Sequence, residues 1–224
     1  MDLSVHKEWE IRQNLKEIAW INTVTGGGLR YLQFVSGLIH NAGPRVTLLD
    51  IGFGAGDFLN RLAHQFAPSK LTLYGIDLMP EALTAAYNQY PILQNRAHLI
   101  QAHYSDTLNE ERVYDFITAN LFCHHLEQDE LVLFLKKAVN KAGHRVIIND
   151  LSRHPVAYYG IAFLTRLFSK SRYTRHDAPL SVLRGFTITE WKQILSAAGI
   201  DDYEIKPIWS FRHRISIQGK ALSQ

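Results

Sequence analysis

Leu48-Leu49-Asp50-Ile51-Gly52-Phe53-Gly54-Ala55-Gly56-Asp57-Phe58, residues 48–58, is the stretch that decides the fold. Val46 to Ile51 is a short, β-rich apolar run, glycines follow at alternate positions, and Asp57–Phe66 reads as a helix. Where a strand hands over to a helix in a tight turn, glycine takes open backbone angles at little cost and lets a ligand approach the main chain. The helix that follows offers unpaired N–H groups at its start. The next apolar run, Leu71-Thr72-Leu73-Tyr74-Gly75-Ile76, ends at Asp77, 21 positions after Gly56. A carboxylate there can accept both hydroxyls of a ribose. The bland reading is a tight turn with an N-capping aspartate. Strand, turn, helix, strand and acid in that order favour a nucleotide crevice at the carboxyl edge of a sheet.

The alternation continues outward. Ala97–Ala102, Tyr114–Ala119 and His144–Asn149 are further strand-like runs, and Pro80–Tyr90 and Gln128–Val139 are helical stretches between them. Apolar strands alternating with helices imply an α/β fold with a mostly parallel sheet covered on both faces. Upstream, Trp9, Ile11, Leu15, Ile18 and Ala19 recur at helical spacing, and Gly26-Gly27-Gly28 breaks the pattern. Tyr31, Leu32, Phe34, Val35, Leu38 and Ile39 form a second helical set, stopped by Asn41-Ala42-Gly43-Pro44. Downstream, Val156–Phe168 reads as an aromatic-rich helix and Thr187–Ala198 as another. Two β-like segments around Pro207, within Ile205–Ile217, are expected as an antiparallel edge pair. One domain is expected over 1–224, with an N-terminal helical cap at 1–43 and a helical insertion at 152–186.

The 224 residues carry a formal net charge of +3, with 46% hydrophobic and 20% charged residues, so disordered and fibrous classes drop out. The basic excess is too small to imply nucleic acid. One cysteine, Cys123, excludes an internal disulfide and a cysteine-based zinc site, and a reducing, cytoplasmic setting is expected. The opening residues are polar through Gln13, without the pattern of a secretory signal, and no run of about 18 uncharged apolar residues exists. No transmembrane segment is expected, and peripheral contact with a membrane remains compatible.

The glycine pattern is Gly-x-Gly-x-Gly, with its third glycine one position earlier than in the dinucleotide fingerprint. Asp50, inside the strand, would repel a pyrophosphate and attract a cationic ligand. There is no phosphate loop of the Gly-x-x-x-x-Gly-Lys-Ser/Thr kind and no Tyr-x-x-x-Lys pair. Leu49–Gly56 resembles the first signature of class I S-adenosylmethionine-dependent methyltransferases. Gly75-Ile76-Asp77-Leu78-Met79-Pro80-Glu81-Ala82-Leu83 resembles the second. Asn120-Leu121-Phe122-Cys123-His124-His125-Leu126 is similar to the segment after the fourth strand in small-molecule members, including quinone-biosynthesis and natural-product enzymes.

The resemblance implies a Rossmann-like seven-stranded sheet with an antiparallel last strand, S-adenosyl-L-methionine as cofactor and S-adenosyl-L-homocysteine as product. It implies that Asp50, Gly52, Gly54 and Gly56 hold the methionine end, Asp77 the ribose and Leu78 the adenine flank, with Asn120 and Leu121 on the methionine side. Where many members have an acid near the adenine amine this chain has His103, which leaves Tyr104 or Asp106 for that contact.

A sulfonium methyl is already activated, so the protein must align it, exclude water and, for a hydroxyl acceptor, take up a proton. His124 and His125 are the candidate bases; the bland alternative, that they shape the loop, weighs about equally. A metal held by His124 and Glu127 has too few ligands, and none is expected. Arg153 and His154, in Asn149-Asp150-Leu151-Ser152-Arg153-His154-Pro155, could orient or deprotonate an acceptor, while Asp150 and Ser152 could equally cap the next helix. Tyr158, Tyr159, Phe163 and Leu164, followed by Arg166, Lys170, Arg172 and Arg175, read either as core aromatics before a charged loop or as an acceptor lid. The leading expectation is O-methylation, rather than C-methylation, of a small aromatic, polyketide-like or quinone-like acceptor by a monomer or homodimer. The competing readings are an NAD-linked oxidoreductase, disfavoured by the glycine spacing, and a non-catalytic S-adenosylmethionine-binding protein. Nucleic-acid or protein amino groups are disfavoured because no Asn/Asp-Pro-Pro-Tyr/Phe sequence occurs.

Overall fold

The computed structural model describes Glu17 and residues 27–169 and 171–221. The expected helix around Trp9–Ala19, the proposed cover by Trp20 and Asn22, and Lys170 lie outside the described residues. Helix α1 (Gly27–Asn41) leads into β1 (Val46–Ile51), α2 (Asp57–Gln65), β2 (Leu71–Asp77) and α3 (Pro80–Gln89). A short α4 (Leu93–Arg96) precedes β3 (Ala97–Gln101), and a short α5 (Tyr104–Thr107) precedes β4 (Tyr114–Asn120). After a 3-10 turn at Cys123–His125 come α6 (Gln128–Lys141), β5 (Ala142–Leu151), α7 (Pro155–Phe168), α8 (Arg172–Arg184) and α9 (Ile188–Ala197). β6 (Tyr203–Ile208) and β7 (Arg212–Gln218) close the sheet.

The seven strands run in the order β3-β2-β1-β4-β5-β7-β6, with β7 antiparallel to both β5 and β6. The fold class read from the sequence is the one observed. Alternation within each strand builds two cores. Leu49, Ile51, Ile117 and Ile148 pack under α6 and α9 with Phe134 and Trp191, while Val46, Leu48, Phe116 and Ile147 pack under α1 and α2 with Tyr31, Val35 and Leu59. Strand order reverses direction between β1 and β4, which opens a crevice outside their carboxyl ends.

Gly27 and Gly28 open α1, and the helix they were expected to divide from it lies outside the described residues. Two local expectations are corrected. Pro207 lies inside β6 and the turn falls at Trp209–Phe211. An edge strand tolerates proline because the missing N–H faces no further partner. Residues expected as a charged loop form α8, which contains Pro179. Ser171 caps it by accepting the Thr174 N–H at 3.3 Å, and packing against α7 outweighs the breaker.

Candidate functional site

The first βα turn is held by its glycines. Gly52, Gly54 and Gly56 have φ of 72°, 55° and 81°. A Cβ on Gly52 would stand 2.8 Å from the Phe122 ring, so a side chain is refused by both space and backbone angle. The Gly54 N–H donates to Asp77 Oδ2 at 2.9 Å and the Met79 N–H to Asp77 Oδ1 at 2.9 Å, which joins the ends of β1 and β2 through one carboxylate. Burial pushes the Asp77 carboxyl up, against those backbone donors. Asp50 is fully enclosed and accepts the Thr118 hydroxyl at 2.7 Å. Burial raises it to about 7, the Thr118 bond opposes the rise and the Asp77 charge adds to it. Neither carboxylate meets a cationic side chain among the described residues.

β4 ends in a second strained turn. Leu121 has φ of 57°, a region that costs a non-glycine residue about 1–2 kcal/mol. Its N–H donates to the Asn149 carbonyl at 2.8 Å, and the Asn149 amide donates to Asn120 Oδ1 at 2.7 Å. His124 follows. Its backbone N–H donates to Asp150 Oδ2 at 2.8 Å, and its ring Nδ1 lies 2.6 Å from Asp150 Oδ1. Burial alone would raise Asp150, but the His124 ring and the backbone N–H groups outweigh it and hold the carboxyl below its ordinary value. An ionised Asp150 accepts a hydrogen bond from the Nδ1–H of His124, which leaves Nε2 as the unprotonated nitrogen of the neutral ring. The His125 ring lies 4.1 Å from that of His124. Burial, reinforced by His124 and Arg184, lowers His125 to about 4, although Asp150 pulls the other way.

These groups share one cavity of about 1670 Å³. Asp50, Gly52, Gly54, Asp77, Leu78, Tyr104, Asn120, Leu121, His124, His125 and His154 all line it. The other half of its wall is apolar and comes from α7, α8 and the β6–β7 turn, including Ala157, Gly160, Ile161, Leu164, Val182 and Trp209. Two expected site residues do not line it. Gly56 caps α2, where an added Cβ would crowd Leu93 and Ala86 at 2.9 and 3.0 Å. Arg153 donates to the Gly185 carbonyl at 3.1 Å and pairs with Glu190, so it joins the start of α7 to that of α9. Asp106 is exposed and off the cavity. The Tyr104 phenol is bound to Glu130 Oε1 at 3.0 Å.

Sequence reasoning gave Asp150 no more than a capping role and passed over His213, its register partner on β7, which also lines the cavity. The acid at the end of β5 was visible. What was not visible was that the turn after β4 folds back onto it.

A buried carboxylate, Asp50, and a half-buried one, Asp77, beside left-handed glycines and without a cationic side-chain partner among the described residues, fit a cationic nucleoside ligand and disfavour a pyrophosphate. The chain matches the methyltransferase domain family over residues 48–157. It is a class I S-adenosylmethionine-dependent methyltransferase. Among solved structures it is similar to the plantazolicin methyltransferase BpumL bound to a triazolic desmethylPZN analogue and SAH. That match has 18% identity and a TM-score of 0.69, and covers 97% of this chain and 100% of that one. A methyltransferase from Aquifex aeolicus is 18% identical with a TM-score of 0.57, over 83% and 88% of the two chains. Magnesium protoporphyrin IX methyltransferase from Synechocystis PCC 6803, with bound SAM, is 15% identical with a TM-score of 0.56, over 86% and 80%. No curated protein matches the sequence.

Proposed function

We propose that this methyltransferase acts on a hydroxyl of a small, flat, apolar acceptor of aromatic, polyketide-like or quinone-like kind, with His124 as general base and Asp150 as its positioning residue. The observation that carries the reading is the 2.6 Å His124–Asp150 contact in the wall of the cavity that also holds Asp50 and Asp77. When bound, S-adenosylmethionine supplies an electrophilic methyl. Asp50, Gly52 and Gly54, with the strained Leu121 turn and Asn120, would hold its methionine end; Asp77 would hold the ribose and Leu78 and Tyr104 the adenine side. The apolar wall from α7 and α8 would exclude water and seat the acceptor ring.

His124 suits the proton transfer better than His125. A base lowered to about 4 gains little from accepting a proton at neutral pH, whereas His124 is backed by a buried carboxylate. His125 and His154 are then walls of the acceptor site. The plantazolicin methyltransferase, which aligns along nearly the whole chain, has been seen with monoazolic, triazolic and pentazolic analogues. That range supports a site tolerant of acceptor length. A cytoplasmic location, and a monomer or homodimer, complete the proposal.

The test is mass spectrometry of methyl transfer to a panel of phenols and their carbon- and nitrogen-nucleophile analogues. On the preferred phenol, His124→Ala should lower kcat about 10³-fold and leave cofactor affinity within about twofold. Asp150→Asn should lower kcat by a similar order through loss of the ring's tautomer, again with cofactor affinity within about twofold. Undiminished turnover in His124→Ala, or preference for a carbon nucleophile, would overturn the assignment.

A further inference from the structure

Helix α7 is apolar on two sides. Ala157, Gly160, Ile161 and Leu164 face the cavity, while Tyr159, Phe163 and Leu167 recur at helical spacing as a stripe exposed to solvent that Val156, also on the cavity wall, continues. Tyr159 is 71% and Phe163 67% exposed. A helix apolar on both faces belongs in a core or against a non-aqueous phase. The stripe does not end with the helix. Trp209, 68% exposed, stands on the β6–β7 turn, where Ser210 and Phe211 have φ of 71° and 53°. The Phe211 ring stacks at 4.8 Å on His154, the N-cap of α7, which joins the turn to the start of the stripe.

Charge gathers in the same region. Residues 152–186 contain six Lys or Arg and one acid, Asp177, a net of +5 in a chain whose total is +3. Arg166 is exposed one turn from Phe163, and Arg175, also exposed, binds the Ser169 carbonyl at 2.9 Å at the end of α7.

We infer that α7 and the Trp209 turn form a docking face for an anionic bilayer surface, with the acceptor cavity opening beside it. Exposed aromatics flanked by arginines suit the boundary between headgroups and acyl chains. A second copy of this chain docked on the same face would set the exposed Arg166 and Arg175 of one copy against those of the other, which charge complementarity disfavours. No helix among the described residues is long and apolar enough to cross a membrane, so the contact lies on the surface. Delivery of the acceptor from the lipid phase rests on the apolar acceptor proposed above; the docking face does not.

The experiment is co-sedimentation of the full chain with phosphatidylcholine vesicles, with and without about 30% phosphatidylglycerol, at low salt and at about 0.5 M salt. Binding is expected on the anionic vesicles at low salt, reduced at least about fivefold by salt or by neutral lipid. Phe163→Glu, at an exposed position away from the cavity, should reduce the bound fraction about tenfold, and Tyr159→Glu should do the same, with calorimetric cofactor affinity unchanged. Wild type failing to bind, or binding neutral and anionic vesicles alike, would overturn the inference. So would a wild-type dimer in sedimentation equilibrium that Phe163→Glu converts to monomer, which would give the face to a second copy. Turnover of a soluble short-chain phenol, measured alongside, tells failure of docking from failure of the acceptor assignment.

Discussion

The β1–β2 end and the α7–α8 end of the cavity are built on opposite principles. The first is made of main chain and carboxylates: three left-handed glycines, N–H groups donated to Asp77, and a buried Asp50. At the second the walls are side chains on helices, mostly apolar and movable by substitution without touching the sheet. The first end suits one invariant ligand and the second suits whatever acceptor the chain has come to serve. The difference teaches where to look for specificity, and it can be broken by substitutions at either end.

Asp77→Ala should have the largest effect at the cofactor end. The carboxylate both closes the glycine turn and, on the proposed reading, takes the ribose hydroxyls. Hydrogen bonds to a charged group are worth about 1.5–3 kcal/mol each, so cofactor affinity should fall about 100-fold in calorimetry. Asp77→Asn, which retains one acceptor oxygen, should fall between. Unchanged affinity in Asp77→Ala would mean that the crevice is read wrongly and that the turn is merely structural.

Asp50 sharpens the comparison through pH. Its carboxyl sits at about 7 in the free protein, raised first by burial. A cationic ligand favours the ionised form, so cofactor affinity should rise about tenfold from pH 6 to pH 8 and level off above, and Asp50→Asn should abolish the slope. Stability is a poorer probe. Asp50 binds its proton more tightly folded than unfolded, so its contribution is present at low pH and is lost as pH rises through about 7. His125, lowered to about 4, acts in the reverse sense and destabilises the fold as pH drops below its ordinary value of 6.5. The two slopes oppose one another between about pH 4 and pH 6.5, whereas the affinity slope belongs to Asp50 alone.

The same division explains what could be read from the chain before its structure. The β1 turn was legible because its chemistry is local: glycine spacing, a preceding acid and Asp77 all lie within one βαβ unit. The bounds of β1 and β2 came out as observed because buried parallel strands are short, continuous apolar runs. The His124–Asp150 pair, proposed above as the base and its positioning residue, was not legible, since the two are 26 positions apart and meet where two strand ends converge. Helix α8 was hidden by Pro179 and by a pattern without a clear apolar face, and it forms because Ser171 caps it and α7 packs beside it.

Arg153 gives the smallest effect and the most direct contest between the two ways of reasoning. From sequence it is an acceptor-binding arginine, one residue before His154 at the ligand edge. In the structure its guanidinium holds the Gly185 carbonyl and Glu190, whose other oxygen completes the capping box with Thr187. The paired side chains are 43% and 37% exposed, so solvent screens them and the bond contributes about 0.5 kcal/mol. Arg153→Ala should therefore lower Tm by about 1–2 °C and leave KM for the acceptor within about twofold. A several-fold rise in KM with Tm unchanged would instead place the guanidinium in the acceptor site during turnover. That outcome would mean that the Glu190 pair opens to receive substrate, and it would extend the substrate-facing wall past His154 to the start of α9.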